Sequence, residues 1–265
     1  MSTSAEAFHA FEHAGWERAA AHYAGTFGRL TSQAVEPLLD AARVRSGSRT
    51  LDVATGPGYV AAAAARRGAR AIGIDFSAAM VADARRDHPE VEFRLGDAEA
   101  LAEPDGAFDA VVMSFGLLHL ARPEVAIAEA HRVLAPGGRF AFTVWAPPDR
   151  TRGFGILLEA IAQHGRTTVD LPEGPPFFRF GDPAESRRAL AAFSDVEVAT
   201  VPLVWQLEDP DALFAAGLDG GVRTAALLRA QTPEALAAIR RTARDAVERA
   251  NLALPMPVIV ASGGK

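Results

Sequence analysis

Leu51-Asp52-Val53-Ala54-Thr55-Gly56-Pro57-Gly58 is the stretch on which the reading of this chain turns. Leu51 and Val53 belong to a short β-rich run from Arg49 to Thr55; glycines follow at once, and Tyr59 to Arg67 is an alanine-rich helical stretch that stops at Gly68. The octet is therefore a strand, a glycine turn and a helix start. Glycines after a leading strand let backbone N–H groups approach a ligand with no Cβ in the way, and open α/β sheets bind ligands at the carboxyl ends of such strands. Taken alone, Gly56 and Gly58 are read as readily as a simple tight bend.

Outward from the octet the unit repeats. Ala69 to Asp75 reads as a second strand and Ser77 to His88 as a second helix, with Ser77 placed to cap it and Pro89 just beyond its end. Val91 to Asp97 and Phe108 to Phe115 read as strands, Pro123 to Leu134 as a helix, and Arg139 to Ala146 as a strand after the turn Pro136-Gly137-Gly138. This alternation implies parallel pairing, because parallel neighbours need a crossover long enough for a helix. Upstream, residues 4 to 44 show helical spacing with a break at Gly25 to Gly28. Downstream, a proline-rich stretch frames one helix, Gly153 to Gly165, and Asp182-Pro183 opens another. Val196 to Gln206 reads as a sixth strand and Pro257 to Ser262 as the last, with helices from Asp209 to Ala250 broken at Gly217 to Gly221 and at Thr232-Pro233. The expected fold class is α/β, a doubly wound, mostly parallel seven-stranded Rossmann-like sheet with N-terminal and C-terminal helical insertions.

Composition narrows the function classes. In 265 residues, 49% hydrophobic and 23% charged, there is apolar material for a sizeable core, and intrinsic disorder is excluded. No run approaches the roughly 20 apolar residues of a membrane-spanning helix. A net charge of −6, with arginines spread in pairs along helices, argues against a nucleic-acid partner. Zero cysteines exclude disulfides and thiol nucleophiles and suit the cytosol. Met1 to Glu12 hold two acids and neither Lys nor Arg, so no secretory or transit peptide is read there and a cytoplasmic location is expected. No metal is expected either: the seven histidines lack paired ligand spacing, and His9 with His13 reads as an exposed helix face.

Two acids give the glycine turn its meaning. Asp75 ends the second strand beside the turn, where its carboxylate can accept hydrogen bonds from both hydroxyls of a ribose. Ser77 already serves as the helix cap, which leaves Asp75 for a ligand. A nicotinamide dinucleotide and S-adenosylmethionine both suit that geometry, and Gly56-Pro57-Gly58-Tyr59-Val60-Ala61 superficially fits the dinucleotide fingerprint. Asp52 decides between them on charge, since an acid at that strand end repels a pyrophosphate and attracts the ammonium of a methionine moiety.

With these residues assembled, the chain resembles the class I S-adenosylmethionine-dependent methyltransferases, in particular the small-molecule branch of the ubiquinone and menaquinone biosynthesis methyltransferases. The matches run in order from about Trp16 to Ala146. Asp52 to Gly58 resembles the first family motif; Gly73-Ile74-Asp75-Phe76-Ser77 followed by Met80 resembles the second. Gly96-Asp97-Ala98-Glu99, Phe108-Asp109 with Ser114-Phe115, and Arg132 to Gly138 are similar to the next three. The resemblance implies that Gly56, Gly58 and the backbone near Ala54 contact the methionine portion, Asp75 the ribose and Phe76 with Met80 the adenine face. It further implies Asp97 at the adenine amino group with Ala98 beside it, and Ser114 at the methionine backbone. Ala54 departs from the pattern, standing where the family often has glycine. The implied organisation is a single domain, 1-265, with a helical cap (1-45), a cofactor-binding core (46-146), a substrate-side segment with a helical insertion (147-250) and a final strand (251-265).

Methyl transfer from a sulfonium is a direct displacement, so the enzyme's task is to hold the acceptor in line and exclude water. His119, in Ser114-Phe115-Gly116-Leu117-Leu118-His119 after the fourth strand, is the candidate general base; support of the pocket wall is the other reading. His22, Tyr23 and Thr31 are weaker candidates from the helices that, in this family, close over the cofactor. Trp145, Phe154, Phe177, Phe178, Phe180 and Trp205 are expected to roof an apolar pocket for a small, partly apolar acceptor. The helical stretch from 209 to 250 is read as a lid or as a contact in a homodimer. The alternatives are an NAD(P)-dependent oxidoreductase and a cofactor-binding member that transfers no methyl group.

Overall fold

The computed structural model describes residues 4–265; the first three residues of the expected helical cap lie outside the described residues. Strand β1 (Arg49–Val53) is buried from its second residue on, and helix α4 (Tyr59–Arg66) follows the glycine turn. Ahead of β1 come α1 (Ser4–Tyr23), α2 (Arg29–Thr31) and α3 (Val35–Ala41). After α4 the chain runs through β2 (Arg70–Asp75), α5 (Ala78–Asp87), β3 (Glu92–Leu95), β4 (Phe108–Ser114), α6 (Pro123–Val133) and β5 (Leu134–Trp145). The second half contains α7 (Arg152–His164), α8 (Pro183–Ala189), β6 (Ser194–Val201), β7 (Val204–Gln206) and the insertion α9 (Ala212–Asp219), α10 (Arg223–Arg229) and α11 (Pro233–Arg249). It ends in β8 (Ala253–Pro255) and β9 (Val258–Gly264).

The main sheet has seven strands in the order β3-β2-β1-β4-β5-β9-β6. Pairings from β3 to β5 are parallel, while β9 runs antiparallel to both β5 and β6. The chain winds outward from β1 to β3 and then returns to β4 on the other side of β1. The carboxyl ends of β1 and β4 therefore diverge at a switch point, where side chains from both halves of the sheet face a common crevice. Behind it, Leu51, Met113, Phe140 and Phe142 are fully buried, each contributing about 1.5–3 kcal/mol by leaving water. The caps are as the sequence suggests: Ser77 Oγ accepts from Met80 N at 3.2 Å and Asp182 Oδ1 from Ala184 N at 2.8 Å. No described helix is long and apolar enough to cross a membrane.

Three expectations are corrected here. Gly25 to Gly28 does not break the N-terminal helix, because the backbone widens into a π-helical turn over Ala24–Gly28 and stays helical. Val196 to Gln206 is not one strand. Pro202 separates β6, which joins the main sheet, from β7, which pairs with β8 in a two-stranded ribbon. Finally, β5 begins at Leu134 rather than Arg139, with the extra length taken up by a register shift against Phe108 and Ala110 of β4.

Candidate active site

The glycine turn is held from below. Asp52 is 1% exposed, and its Oδ2 accepts from Thr55 Oγ1 at 2.5 Å and from Ala61 N at 3.0 Å. It thereby ties the end of β1 to the first turn of α4. Burial pushes this carboxyl up to about 7. Oδ1 has no partner among the described residues. Gly58 stands at φ 84°, where a Cβ would come within 2.6 Å of the Phe93 ring. Neither Asp52 nor Gly58 lines the crevice. Asp52 braces the turn through Thr55 and Ala61, and Gly58 allows close packing against β3.

Asp75 does line the crevice. Its Oδ2 accepts from Gly56 N at 2.8 Å and its Oδ1 from Ser77 N at 2.9 Å, so it bridges the turns after β1 and β2. Ser77 caps α5 as expected, yet the backbone of Ser77 also uses Asp75. Each carboxylate oxygen still has a lone pair for a hydroxyl donor. Burial raises this carboxyl to about 6. Ala54, Gly56, Phe76, Met80, Asp97 and Ala98 line the same end. Asp97 Oδ1 accepts from Glu99 N at 2.8 Å, and its Oδ2 lies 3.2 Å from His9 Nε2. His9 and His13 are not a bare helix face; both stand edge-on to Phe76, with ring centroids 5.6 and 5.2 Å away.

The other end of the crevice is aromatic. Ser114 and Phe115 continue from β4, with Ser114 Oγ 3.2 Å from Thr143 Oγ1. Trp145, Phe154 and Phe177 line the wall, as do Tyr23 and Thr31 from the N-terminal helices and Gly217 and Gly220 to Thr224 from the insertion. The residues from 209 to 250 thus supply a wall of the cavity. Of the remaining expected aromatics, Phe178 packs on Phe154 and Phe177, Phe180 lies against Phe142, and Trp205 stands behind Phe27. The two ends form one continuous space of about 1050 Å³, part of it open to solvent.

His119 lines the same cavity. Its Nδ1 is 3.0 Å from Glu12 Oε2, and its ring is edge-on to Trp16 at 4.8 Å and to Phe177 at 5.7 Å. Glu12 is wholly buried and accepts a second hydrogen bond, from Arg223 Nε at 2.8 Å. Sequence reasoning missed both Glu12 and Arg223. They lie 211 residues apart, and each looks like one more solvated charge on a helix. Their only advance signal is position, Glu12 one helical turn before Trp16 and Arg223 just after the Gly217 to Gly221 break.

These residues suit a sulfonium nucleoside. Asp75 offers acceptors for a ribose, Phe76 and Met80 an apolar face for a flat base, and Gly56 a backbone surface whose Cβ position is open, with nothing within 4 Å. The comparisons agree with that chemistry. Residues 51–142 match a family model described as a methyltransferase domain. The chain is 41% identical over 121 residues to a demethylmenaquinone methyltransferase of Beutenbergia cavernae, covering 44% of this chain and 50% of that one. It is 42% identical over 131 residues to another from Thermus thermophilus, covering 47% and 59%. The chain thus spans about half the length of the curated relatives it matches. Among solved structures, a Haemonchus contortus phosphoethanolamine N-methyltransferase 2 in complex with S-adenosylhomocysteine superposes with a TM-score of 0.58 at 18% identity. That match covers 100% of this chain and 60% of the other, a likeness of fold. Residues 51–142 match a methyltransferase domain, and the chain has the class I S-adenosylmethionine-dependent methyltransferase fold and resembles the menaquinone and ubiquinone methyltransferases.

Proposed function

We propose that this protein transfers a methyl group from S-adenosylmethionine to a small, flat, largely apolar molecule by in-line displacement. The observation that carries the reading is the continuity of one cavity from the Asp75–Phe76 end to the aromatic end, past the turn at Ala54 and Gly56. In this reading Asp75 accepts from the ribose hydroxyls, Phe76 and Met80 pack on the adenine, and Asp97 meets its amino group beside Ala98. Backbone at Ala54 and Gly56, with Ser114, holds the methionine portion, while Asp52 acts through the turn it braces. The sulfonium supplies an activated methyl group; the chain's part is to aim the acceptor and keep water out. His119 is the candidate base on the acceptor side. The demethylmenaquinone methyltransferases among the relatives support a ring of quinol size as the acceptor. The lack of cysteine suits a cytoplasmic setting.

A dinucleotide fits less well, since the Gly56 amide that would face a pyrophosphate already donates to Asp75, an anion itself. The test is calorimetry with S-adenosylhomocysteine. We expect binding, weakened by about 1–3 kcal/mol in Asp75→Ala through loss of charged hydrogen bonds. Heat from a nicotinamide dinucleotide with none from either sulfur compound would reverse the assignment. Tight binding with no transfer to a broad acceptor panel would mark a non-catalytic member.

A further inference from the structure

We propose that Glu12 is a positioning residue: neutralised by Arg223, it fixes His119 in the tautomer whose bare Nε2 serves an acceptor bearing an ionisable hydroxyl on a flat apolar ring. The proposal rests on the methyl-transfer reading. A carboxylate with no exposed surface must be paired. Arg223 supplies the whole counter-charge, because a guanidinium keeps its proton in proteins. Its Nη1 and Nη2 donate to Pro175 O and Leu118 O, both at 2.7 Å, and its face lies 4.5 Å from the Phe8 ring centroid. The pair is then electrically closed, and nothing obliges His119 to carry charge.

An ionised carboxylate only accepts hydrogen bonds, so the contact at 3.0 Å requires a proton on His119 Nδ1. In a neutral imidazole that leaves Nε2 with its lone pair. Nε2 makes no hydrogen bond to any described residue, and the ring lines the cavity. Trp16 and Phe177 hold the ring edge-on, which keeps it from turning the two nitrogens about. The acceptor's hydroxyl proton passes to Nε2 while the oxygen's electron pair forms the bond to the methyl carbon. The carbon–sulfur pair stays on sulfur, and the imidazolium passes its proton to water after product leaves. An acceptor nitrogen bearing a free lone pair would have no use for this device.

The test is two-bond proton–nitrogen NMR of the full chain with labelled histidine, saturated with S-adenosylhomocysteine, the His119 signals being assigned by their loss in His119→Gln. Wild type is expected to show protonated Nδ1 and bare Nε2, and Glu12→Gln, whose amide can donate to Nδ1, to shift His119 toward the other tautomer. A wild-type His119 protonated on Nε2 overturns the proposal whether or not the variant folds. Turnover of 4-substituted phenols of graded acidity is the second readout. Glu12→Gln is expected to lower kcat by about 10²-fold for the least acidic phenol, with the defect shrinking as acidity rises and KM little changed. A uniform loss across the series indicates a merely structural residue, and a wild type that methylates no phenol removes the hydroxyl acceptor. Calorimetry separates the two levels: wild type without affinity for S-adenosylhomocysteine defeats the methyl-transfer reading, whereas a wrong tautomer in a chain that binds it defeats only this one.

Discussion

Two residues on the cavity wall other than glycine hold the left-handed backbone region, Ala54 at φ 55° and Phe115 at φ 56°. A side chain there costs roughly 1–2 kcal/mol, and such residues persist where their surroundings over-determine them. Both are pinned: Thr55 N donates to Ile74 O at 2.9 Å, and Phe115 N donates to Thr143 O at 3.0 Å. The Ala54 methyl also limits its neighbour, since a Cβ on Gly116 would come within 2.8 Å of it. Ala54 carries a side chain at positive φ, so this chain accepts strain at the floor of the site. We expect Ala54→Gly to raise unfolding stability by about 0.5–1 kcal/mol, read as a higher urea midpoint with an unchanged slope. A lower midpoint would mean that the methyl's packing outweighs the strain. The residue scale also shows what a motif withholds. The sequence marks Asp52 and Asp75 as equals at two strand ends, yet Thr55 and Ala61 turn Asp52 inward while Asp75 keeps lone pairs toward the cavity.

Among the elements, α1 does the most for the site. Along one helix it carries His9 to Asp97, His13 to Phe76, Glu12 to His119, and Glu17 to the start of α5, where it accepts from Ala79 N at 3.3 Å. Gly15 permits this closeness, because a Cβ there would lie 2.3 Å from Val222 Cγ1 at the entrance to α10. Valine is stiff at χ1 and cannot swing aside cheaply. We expect Gly15→Ala to cost about 1–3 kcal/mol by overpacking. It should also separate α1 from α10, so that hydrogen exchange speeds up in α1 while the amides of β1 and β4 stay protected. Equal protection in α1 would show that the helix is held elsewhere. Little of this was legible in the chain. Strand-turn-helix units from Arg49 to Trp145 announce themselves because each encodes its own hydrophobic period and its own caps. The contact of Glu12 with Arg223 depends on how an insertion folds back over the sheet, and no local pattern encodes that. Pro202 stands inside a β-rich run that reads as continuous. Its effect becomes plain only once β8 is seen to claim β7.

At the scale of the whole molecule, the switch point joins stability to ligand binding through buried carboxyls. Asp75 is raised to about 6 and Asp52 to about 7 by burial, against about 3.9 for an unfolded Asp. Between those values the folded state binds more protons than the unfolded chain. Each group therefore subtracts stability as pH rises from about 4 through its folded value. Exposed paired carboxyls such as Asp109, held low by Arg49, act with the opposite sign and lose their contribution only in acid. The net slope of the free protein mixes the two kinds, but the difference made by a ligand isolates Asp75. A ribose diol donates best to an ionised carboxylate, so affinity for S-adenosylhomocysteine should fall as Asp75 takes up its proton. The ligand's own amino and carboxyl groups keep their charges across that window. With affinity changing up to about tenfold from pH 7 to pH 5, the ligand's stabilisation falls by up to about 1.4 kcal/mol at fixed excess ligand. Melting curves with and without S-adenosylhomocysteine at pH 5, 6 and 7 check this. The gap in Tm should widen by roughly 2–4 °C toward pH 7 in wild type and stay constant in Asp75→Asn. A gap that is flat in wild type would mean that the ribose contact does not use the Asp75 charge; a gap that still widens in Asp75→Asn would assign the titration to another group.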